Sequence, residues 1–527
     1  MRKTGLRLGR ISAILPTILF LSSCSLNVKV RENWRDSLRE PIPLGEVSQT
    51  WLQMRSGSRP DESSLRAYNA AVEGSVVQIA KNWTKDKDHL SSIPTTSGSL
   101  NFRVDTANVT DLHLVDEVVP ADFVKVRQGF KSESRVDGVG TSLLVKQRWT
   151  ESDPMIPSTG LWYPVTAILN LDRPESPVIE LIDPTKQSVL SVGGQALPLS
   201  ANYTAALGRD FQDRQHQFAE LPALLKFEKF ADRTGLYRVS SFDPAKRVCI
   251  FVHGIYSSPS TFDETINRLF SVPEIRERYE IWTFGYPTGA PIPYMASELR
   301  DAIYEMIEFR RRRGASEQNI TLVGHSMGGL LSKTMTMSSG DENWNKLFTV
   351  PIDELKVSES EREILRRMIY FEPVPNVDKV IFCATPHHGS KVAENPGAKL
   401  IGDLIEGPTQ LVKLSANIIT TSAYALTPLG FEFAKERMTS VDQLGNKART
   451  TAEFLHQPLN LSVDYYSIIG NRGGPNTPQD KITDGVVSYT SAHILGVESE
   501  IVINKSAHGV HRTEGGIEEI IRILKLP

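Results

Sequence analysis

The residue types that can do chemistry lie in the second half of the 527-residue chain. Gly324-His325-Ser326-Met327-Gly328 sets a serine between two glycines, directly after the apolar run Ile320–Val323 and directly before Leu330-Leu331-Ser332-Lys333. A serine hydroxyl is a weak nucleophile until a base takes its proton. A strand that turns sharply into a helix at that serine exposes the oxygen, and glycines on either side keep side chains out of the bend. The helix beginning there aims its amides and its positive dipole end at the reacting oxygen. Ser326 is therefore the candidate nucleophile, and the Met327 amide is one candidate donor for an oxyanion. A second donor should come from the loop after an earlier strand. Phe251-Val252-His253-Gly254-Ile255 supplies it, with Ile255 as the candidate amide and Gly254 allowing close backbone approach. His253 reads as a structural hydrogen-bonding residue of that loop.

A base must follow, oriented by an acid. With a strand–serine–helix nucleophile the expected order along the chain is serine, acid, histidine. The base belongs on the loop between the last strand and the last helix, where His508 and His511 both stand. His508 lies nearer the strand-like Glu500–Ile503, among small residues in Ser506-Ala507-His508-Gly509, and is the choice. His511, followed by Arg512, reads as the solvated approach to the final helix. For the acid, Asp484 in Thr483-Asp484-Gly485-Val486-Val487 follows the run Asp464–Ile469, and Asp480 is the alternative. His387-His388 lacks a third histidine or cysteine at zinc-ligand spacing and reads as a loop brace. Cys249 and Cys383 sit in apolar, strand-like runs and read as small buried hydrophobes.

These residues need a frame. From about 245 onward, strand-like runs (Arg247–His253, Tyr279–Phe284, Ile320–Val323, Lys379–Ala384, Asp464–Ile469, Glu500–Ile503) alternate with helical patterns. Leu299, Ala302, Ile303, Met306 and Ile307 form one stripe of a helix over 295–313, and Ile517, Ile520, Ile521 and Leu524 make a closing helix. Alternation of this kind predicts a mostly parallel sheet flanked by helices. Arg310–Arg313 are cations at a helix C-terminus capped by Gly314, not a nucleic-acid footprint. The net charge of −3 gives no such footprint either. Residues 391–460 form a long insertion with helical apolar spacing, read as a cap or lid.

The first half has another texture. Hydrophobic residues make up 40% and charged residues 23% of the chain, so a core can form. Arg2, Lys3, Arg7 and Arg10 precede an apolar stretch Ile11–Leu21, too short for a permanent span and suited to a signal segment. Residues 24–60 are polar and Pro-containing and read as a tether. A helix is expected around Leu65–Lys81, and short runs such as Leu143-Leu144-Val145, Val165–Leu171 and Val178–Ile182 predict a β-rich accessory domain over 61–240.

Two resemblances add to this. Leu21-Ser22-Ser23-Cys24 is similar to a bacterial lipobox, which implies cleavage after residue 23, acylation of Cys24 and, with Ser25 following, an outer-membrane lipoprotein of the cell envelope. His253-Gly254-Ile255, Gly324–Gly329, Thr385-Pro386-His387-His388-Gly389-Ser390, Thr483–Val487 and Ser506–Gly509 together resemble the bacterial lipase / GPI inositol-deacylase-like branch of the α/β-hydrolases. That resemblance covers about 245–525. It implies an α/β-hydrolase domain over 241–527, the triad Ser326, Asp484 and His508, and a lipid or acyl-ester substrate. Calcium ligands of the true lipases do not map onto this sequence, so neither metal nor cofactor is expected. Transfer of the acyl group to a hydroxyl other than water, or a catalytically silent binding lipoprotein, are the alternatives.

Overall fold

The computed structural model describes residues 28–32, 41–83, 90–109, 112–214, 220–316, 319–390, 404–435, 439–445 and 457–527. Cys24 and the apolar stretch before it lie outside the described residues.

Two sheets organise the mixed α/β chain. After a short strand at Lys29–Glu32 come Leu44–Arg55 (α1) and Glu62–Asn82 (α2), and the Asp61 side chain caps α2 by accepting from the Ser64 amide at 2.8 Å. A six-stranded sheet follows, built from Leu90–Thr95 (β1), Gly98–Asn108 (β2), Val115–Pro120 (β3), Thr141–Gln147 (β4), Leu161–Asn170 (β5) and Val178–Ile182 (β6), in the order β1-β2-β6-β5-β4-β3. Tyr163, Val165 and Leu169 of β5 face Val47, Trp51 and Met54 of α1 and Val72 and Val76 of α2 in one core. The opposite face of β5, at Trp162, packs on Tyr203–Arg214 (α3) through Ala205 and Ala206. Of the stretch 24–60 read as a tether, residues 44–55 are therefore corrected to a packed helix. Leu44, Val47, Trp51 and Met54 recur at spacings of three and four, which buries one stripe of α1 against the sheet.

The other flank of α3 serves the second sheet. Tyr203, Leu207 and Phe211, four apart, pack with Phe262, Ile266 and Phe270 in a core that also contains Val323 and Ile381. One helix is thus shared by both bodies. The second sheet also begins before residue 240, because Gly235–Arg238 (β7) pairs with Tyr279–Gly285 (β9).

That sheet has seven strands. After β7 come Arg247–Val252 (β8), β9, Ile320–His325 (β10), Val377–Cys383 (β11), Asp464–Asn471 (β12) and Ser499–Asn504 (β13), in the order β7-β9-β8-β10-β11-β12-β13. Only β7 runs antiparallel. Central parallel strands are covered on both faces, which is why β8 and β10 read as unbroken apolar runs. Asp263–Phe270 (α4), Ile292–Arg312 (α5), Met327–Thr334 (α6) and Glu514–Lys525 (α9 below) flank it. The chain leaves β8 toward β9 and returns to β10 on the other side of β8. Such a reversal of strand order opens a crevice at the carboxyl ends of the strands, where ligands bind in open α/β sheets.

In the insertion, Thr409–Thr421 (α7) and Pro428–Lys435 (α8) pack into the core of this second body. Leu411, Leu414, Ile418 and Phe433 join Trp344, Leu347 and Phe348 there. The closing helix, Glu514–Lys525 (α9), starts at a Thr513 cap and buries Ile517, Ile520 and Leu524 as its spacing predicts. Ile521 lies at the edge of that stripe and is only partly buried.

Candidate active site

Strand β10 ends at His325, α6 begins at Met327, and Ser326 alone makes the turn between them, at φ 55° and ψ −124°. This is a sparsely populated conformation for an L-residue and stores of the order of 1–3 kcal/mol. Two contacts hold it. The Ser326 amide donates to the Cys383 carbonyl at the end of β11 (2.9 Å), and the Gly329 amide donates to the Ser326 carbonyl (3.0 Å). The bend also needs its glycine: a Cβ on Gly328 would stand 2.0 Å from the Val252 carbonyl oxygen of β8. Gly254 faces Ser326 itself, since a Cβ there would lie 2.8 Å from the Ser326 Cβ. The loop after β8 is thereby pressed against the turn after β10, at the crevice left by the strand reversal.

Three residues far apart in the chain meet in one chain of hydrogen bonds. Ser326 Oγ lies 2.9 Å from His508 Nε2, and His508 Nδ1 lies 2.8 Å from Asp484 Oδ2. The other carboxylate oxygen of Asp484 accepts from the Val486 and Val487 amides, both at 2.7 Å. Burial pushes the Asp484 carboxyl up, but His508 and those two amides outweigh it and hold the group below the ordinary aspartate value. An ionised Asp484 fixes the tautomer that carries its proton on Nδ1, which leaves Nε2 free to accept from Ser326. Asp480, the alternative acid, is exposed on the loop before it.

His511 is placed differently from the sequence expectation. It is fully buried, with Nε2 3.1 Å from both the hydroxyl and the carbonyl oxygen of Thr261. Phe262 and His325 pack on its ring, at 4.9 and 4.1 Å between centroids. The Arg512 that suggested solvent is buried too, paired with Asp263 at 3.1 Å. A sequence cannot show that a distant helix, α4, folds over this loop.

His325 is a residue that motif reading passed over. Its Nε2 donates to the His508 carbonyl at 3.0 Å, and its ring stands 4.8 Å from that of His508. It therefore grips the loop that carries His508. Burial drives it down to about 3, so it stays neutral and keeps that donor geometry. The available signal was its place in the turn beside Ser326. His253 keeps to its own loop, with Nδ1 3.0 Å from the Gly254 carbonyl, its ring stacked on Tyr286, and burial holding it at about 3. His388 braces through the Ser491 carbonyl (3.4 Å from Nδ1), whereas His387 is buried edge-on against Phe382. Cys249 and Cys383 are buried and unbonded, and burial pushes both thiols up.

Met327 is the first residue of α6, whose opening amides have no intrahelical acceptor. Ile255 precedes Tyr256, whose own amide is taken by Thr288 at 3.2 Å. Ile255 packs with Leu224, Tyr256 and Ile405, so the insertion supplies part of an apolar wall beside this loop. The arrangement can pass the Ser326 proton to His508 and present an activated oxygen at an apolar-walled crevice.

No family profile and no curated protein matches the chain. Among solved structures it is similar to a lipase of Bacillus licheniformis in its mature form, at 16% identity and a TM-score of 0.33, covering 55% of this chain and 98% of that one. Similarity of the same kind extends to lipase 1 of Pelosinus fermentans, at 13% identity and a TM-score of 0.30, covering 54% and 99%. A highly thermostable carboxyl esterase of Bacillus coagulans gives 12% identity and a TM-score of 0.28, covering 55% and 93%.

Proposed function

We propose that the protein is an α/β-hydrolase-type serine esterase that cleaves carboxylic esters of acyl or lipid substrates. The observation that carries this reading is the unbroken relay from Ser326 Oγ through His508 to Asp484, built on a strained turn. His508 Nε2 takes the Ser326 proton as Oγ attacks the ester carbonyl carbon. The Met327 and Ile255 amides hold the oxygen that becomes negative, and Asp484 stabilises the imidazolium. The tetrahedral species collapses, the C–O bond to the alcohol breaks, and His508 hands its proton to the leaving alkoxide. Water then repeats the sequence on the acyl-enzyme, releasing the acid and restoring Ser326. The apolar wall of Leu224, Tyr256 and Ile405 suits an acyl chain.

In the same reading residues 391–460 cap the acyl site, and Cys24 anchors the mature protein in the bacterial outer membrane. Hydrolysis of a p-nitrophenyl ester series of increasing chain length tests the esterase reading. Turnover should vanish in Ser326→Ala, and an unchanged rate in that variant would reject it. Palmitate labelling that disappears in Cys24→Ala tests the anchor.

A further inference from the structure

Lys29–Glu32 pairs antiparallel with Val124–Gln128 as a two-stranded ribbon on the first body. Opposed residues of such a pair share a face. Val30 stands opposite Val126, and both pack against the core that surrounds α3. Arg31 stands opposite Lys125, and the outer face carries Lys29, Arg31, Lys125 and Arg127, all exposed. The ribbon's one acid, Glu32, is paired with Arg209 at 3.1 Å and does not neutralise that face. Among the described residues these four cations have no carboxylate partner.

A cleft of about 470 Å³ adjoins the ribbon, lined by Lys125, Arg127, Lys131 and Arg135 together with Asp122 and Glu133. Arg135 is spent on Asp122 at 2.6 Å and Asp137 at 3.0 Å, and Glu133 keeps its charge beside the neutral Asn202 side chain, so Lys125, Arg127 and Lys131 face one uncompensated carboxylate. The cleft therefore presents unspent positive charge to an anion. Cations on an edge strand also discourage pairing with another chain, and their position in the sequence is what gives these a partner. Val28, the residue before the ribbon, is buried at 1% exposure. Four residue steps from Cys24 to Val28 span at most about 14 Å of chain.

We propose that this ribbon and cleft form a docking surface for an anionic bilayer leaflet, with a lipid headgroup phosphate entering the cleft. The choice of a leaflet over a soluble phosphate rests on the proposed acylation of Cys24, which would hold the ribbon within that short reach of the headgroups. It does not depend on the serine chemistry. Basic residues close to an anionic leaflet are attracted to it, and the attraction fades within a Debye length.

The test uses the processed chain from residue 24 with Cys24→Ser, so that no acyl chain contributes. Flotation with vesicles of pure phosphatidylcholine or of phosphatidylcholine with phosphatidylglycerol should show at least about tenfold tighter binding to the anionic vesicles. Lys125→Glu/Arg127→Glu should remove that preference, Lys29→Glu/Arg31→Glu should do the same from the other strand, and salt should weaken it. Both variants should keep wild-type melting and esterase turnover. Equal binding to the two vesicle types, or a preference that survives both variants, would overturn the proposal. Saturable binding of inorganic phosphate that Lys125→Glu/Arg127→Glu abolishes, without any vesicle preference, would overturn it in favour of a soluble ligand. A preserved vesicle preference with no palmitate on wild-type Cys24 would reject the anchor and leave the docking surface standing.

Discussion

The two bodies of this chain handle backbone strain in opposite ways. Among the described residues, five non-glycine positions have positive φ: Tyr256, Ser326, Asn376, Ala384 and Lys505. All five belong to the second body. Four of them follow the carboxyl ends of β8, β10, β11 and β13, and the fifth precedes β11. The first body has its large side chains in ordinary packing, and its buried Tyr68 hydroxyl both donates to the Leu169 carbonyl and accepts from the Leu169 amide. Strain of this kind persists only where surrounding structure over-determines it, and it gathers where backbone must be aimed at a reacting group. The difference sets the candidate site on one sheet, with the other joined to it through the shared helix α3.

Substitutions can break that division of labour. The largest effect should come from His508→Ala, which removes the proton acceptor of Ser326 and should cost about four orders of magnitude in kcat. Steady-state kinetics on a variant with an unchanged melting curve would check it, and a loss under tenfold would move the base elsewhere. Asp484→Asn should follow at about a thousandfold or more, because the amide favours the wrong tautomer of His508. A pH–rate profile of both proteins would show whether the remaining activity rises with hydroxide as the base weakens.

Acid should separate the bodies next. Burial holds His253 and His325 at about 3, and depresses His387 and His511 well below their usual value. All four lie in the second body and are neutral when folded. Unfolding lets them take protons below about 6.5, so their stability is complete above that pH and is lost as pH falls. Each contributes about 1.4 kcal/mol of loss per pH unit in that window. Asp263, pushed up by burial to about 7 despite Arg512, opposes this, as do Glu280 and Glu305, which burial also raises, so three carboxyls stand against four histidines. Hydrogen exchange at pH 7 and pH 5 should therefore show the second sheet opening first, and loosening of the first sheet before it would contradict the comparison.

Smaller effects sharpen the picture. His511→Ala should cost about 2–4 kcal/mol of stability, since it empties a packed site between Phe262 and His325. Its folded fraction should keep turnover within about tenfold, because His511 does not reach Ser326. Tyr68→Phe should cost only about 1–2 kcal/mol, read by chemical denaturation, and leave kcat unchanged. A fall in kcat there would mean that the first body acts on the chemistry directly.

Much of the site was legible in the sequence because its chemistry constrains short segments. A serine turn needs Gly328 beside it, an orienting acid needs an inward-facing loop, and both leave marks a few residues long. Unbroken apolar runs placed β8 and β10 for the same local reason. What escaped depends on distant partners. Trp51 and Met54 looked like part of a polar tether because the sheet that buries them begins only at Leu90. His511 looked solvated because α4, which covers it, lies some 250 residues away. The parallel pairing of β2 with β6 joins strands with three others of the same sheet between them in the chain, and no local pattern specifies such a neighbour. His325 needed the structure as well, since its role is a grip on a carbonyl 183 positions distant.

The central claim is that Ser326 is the activated nucleophile of an esterase. Reaction of the intact protein with a fluorophosphonate probe, followed by peptide mass spectrometry, tests it directly. The account predicts one stoichiometric adduct on the peptide containing Ser326, absent in Ser326→Ala and strongly slowed in His508→Ala. An unlabelled protein with a wild-type fold, or an adduct on another residue, would contradict it.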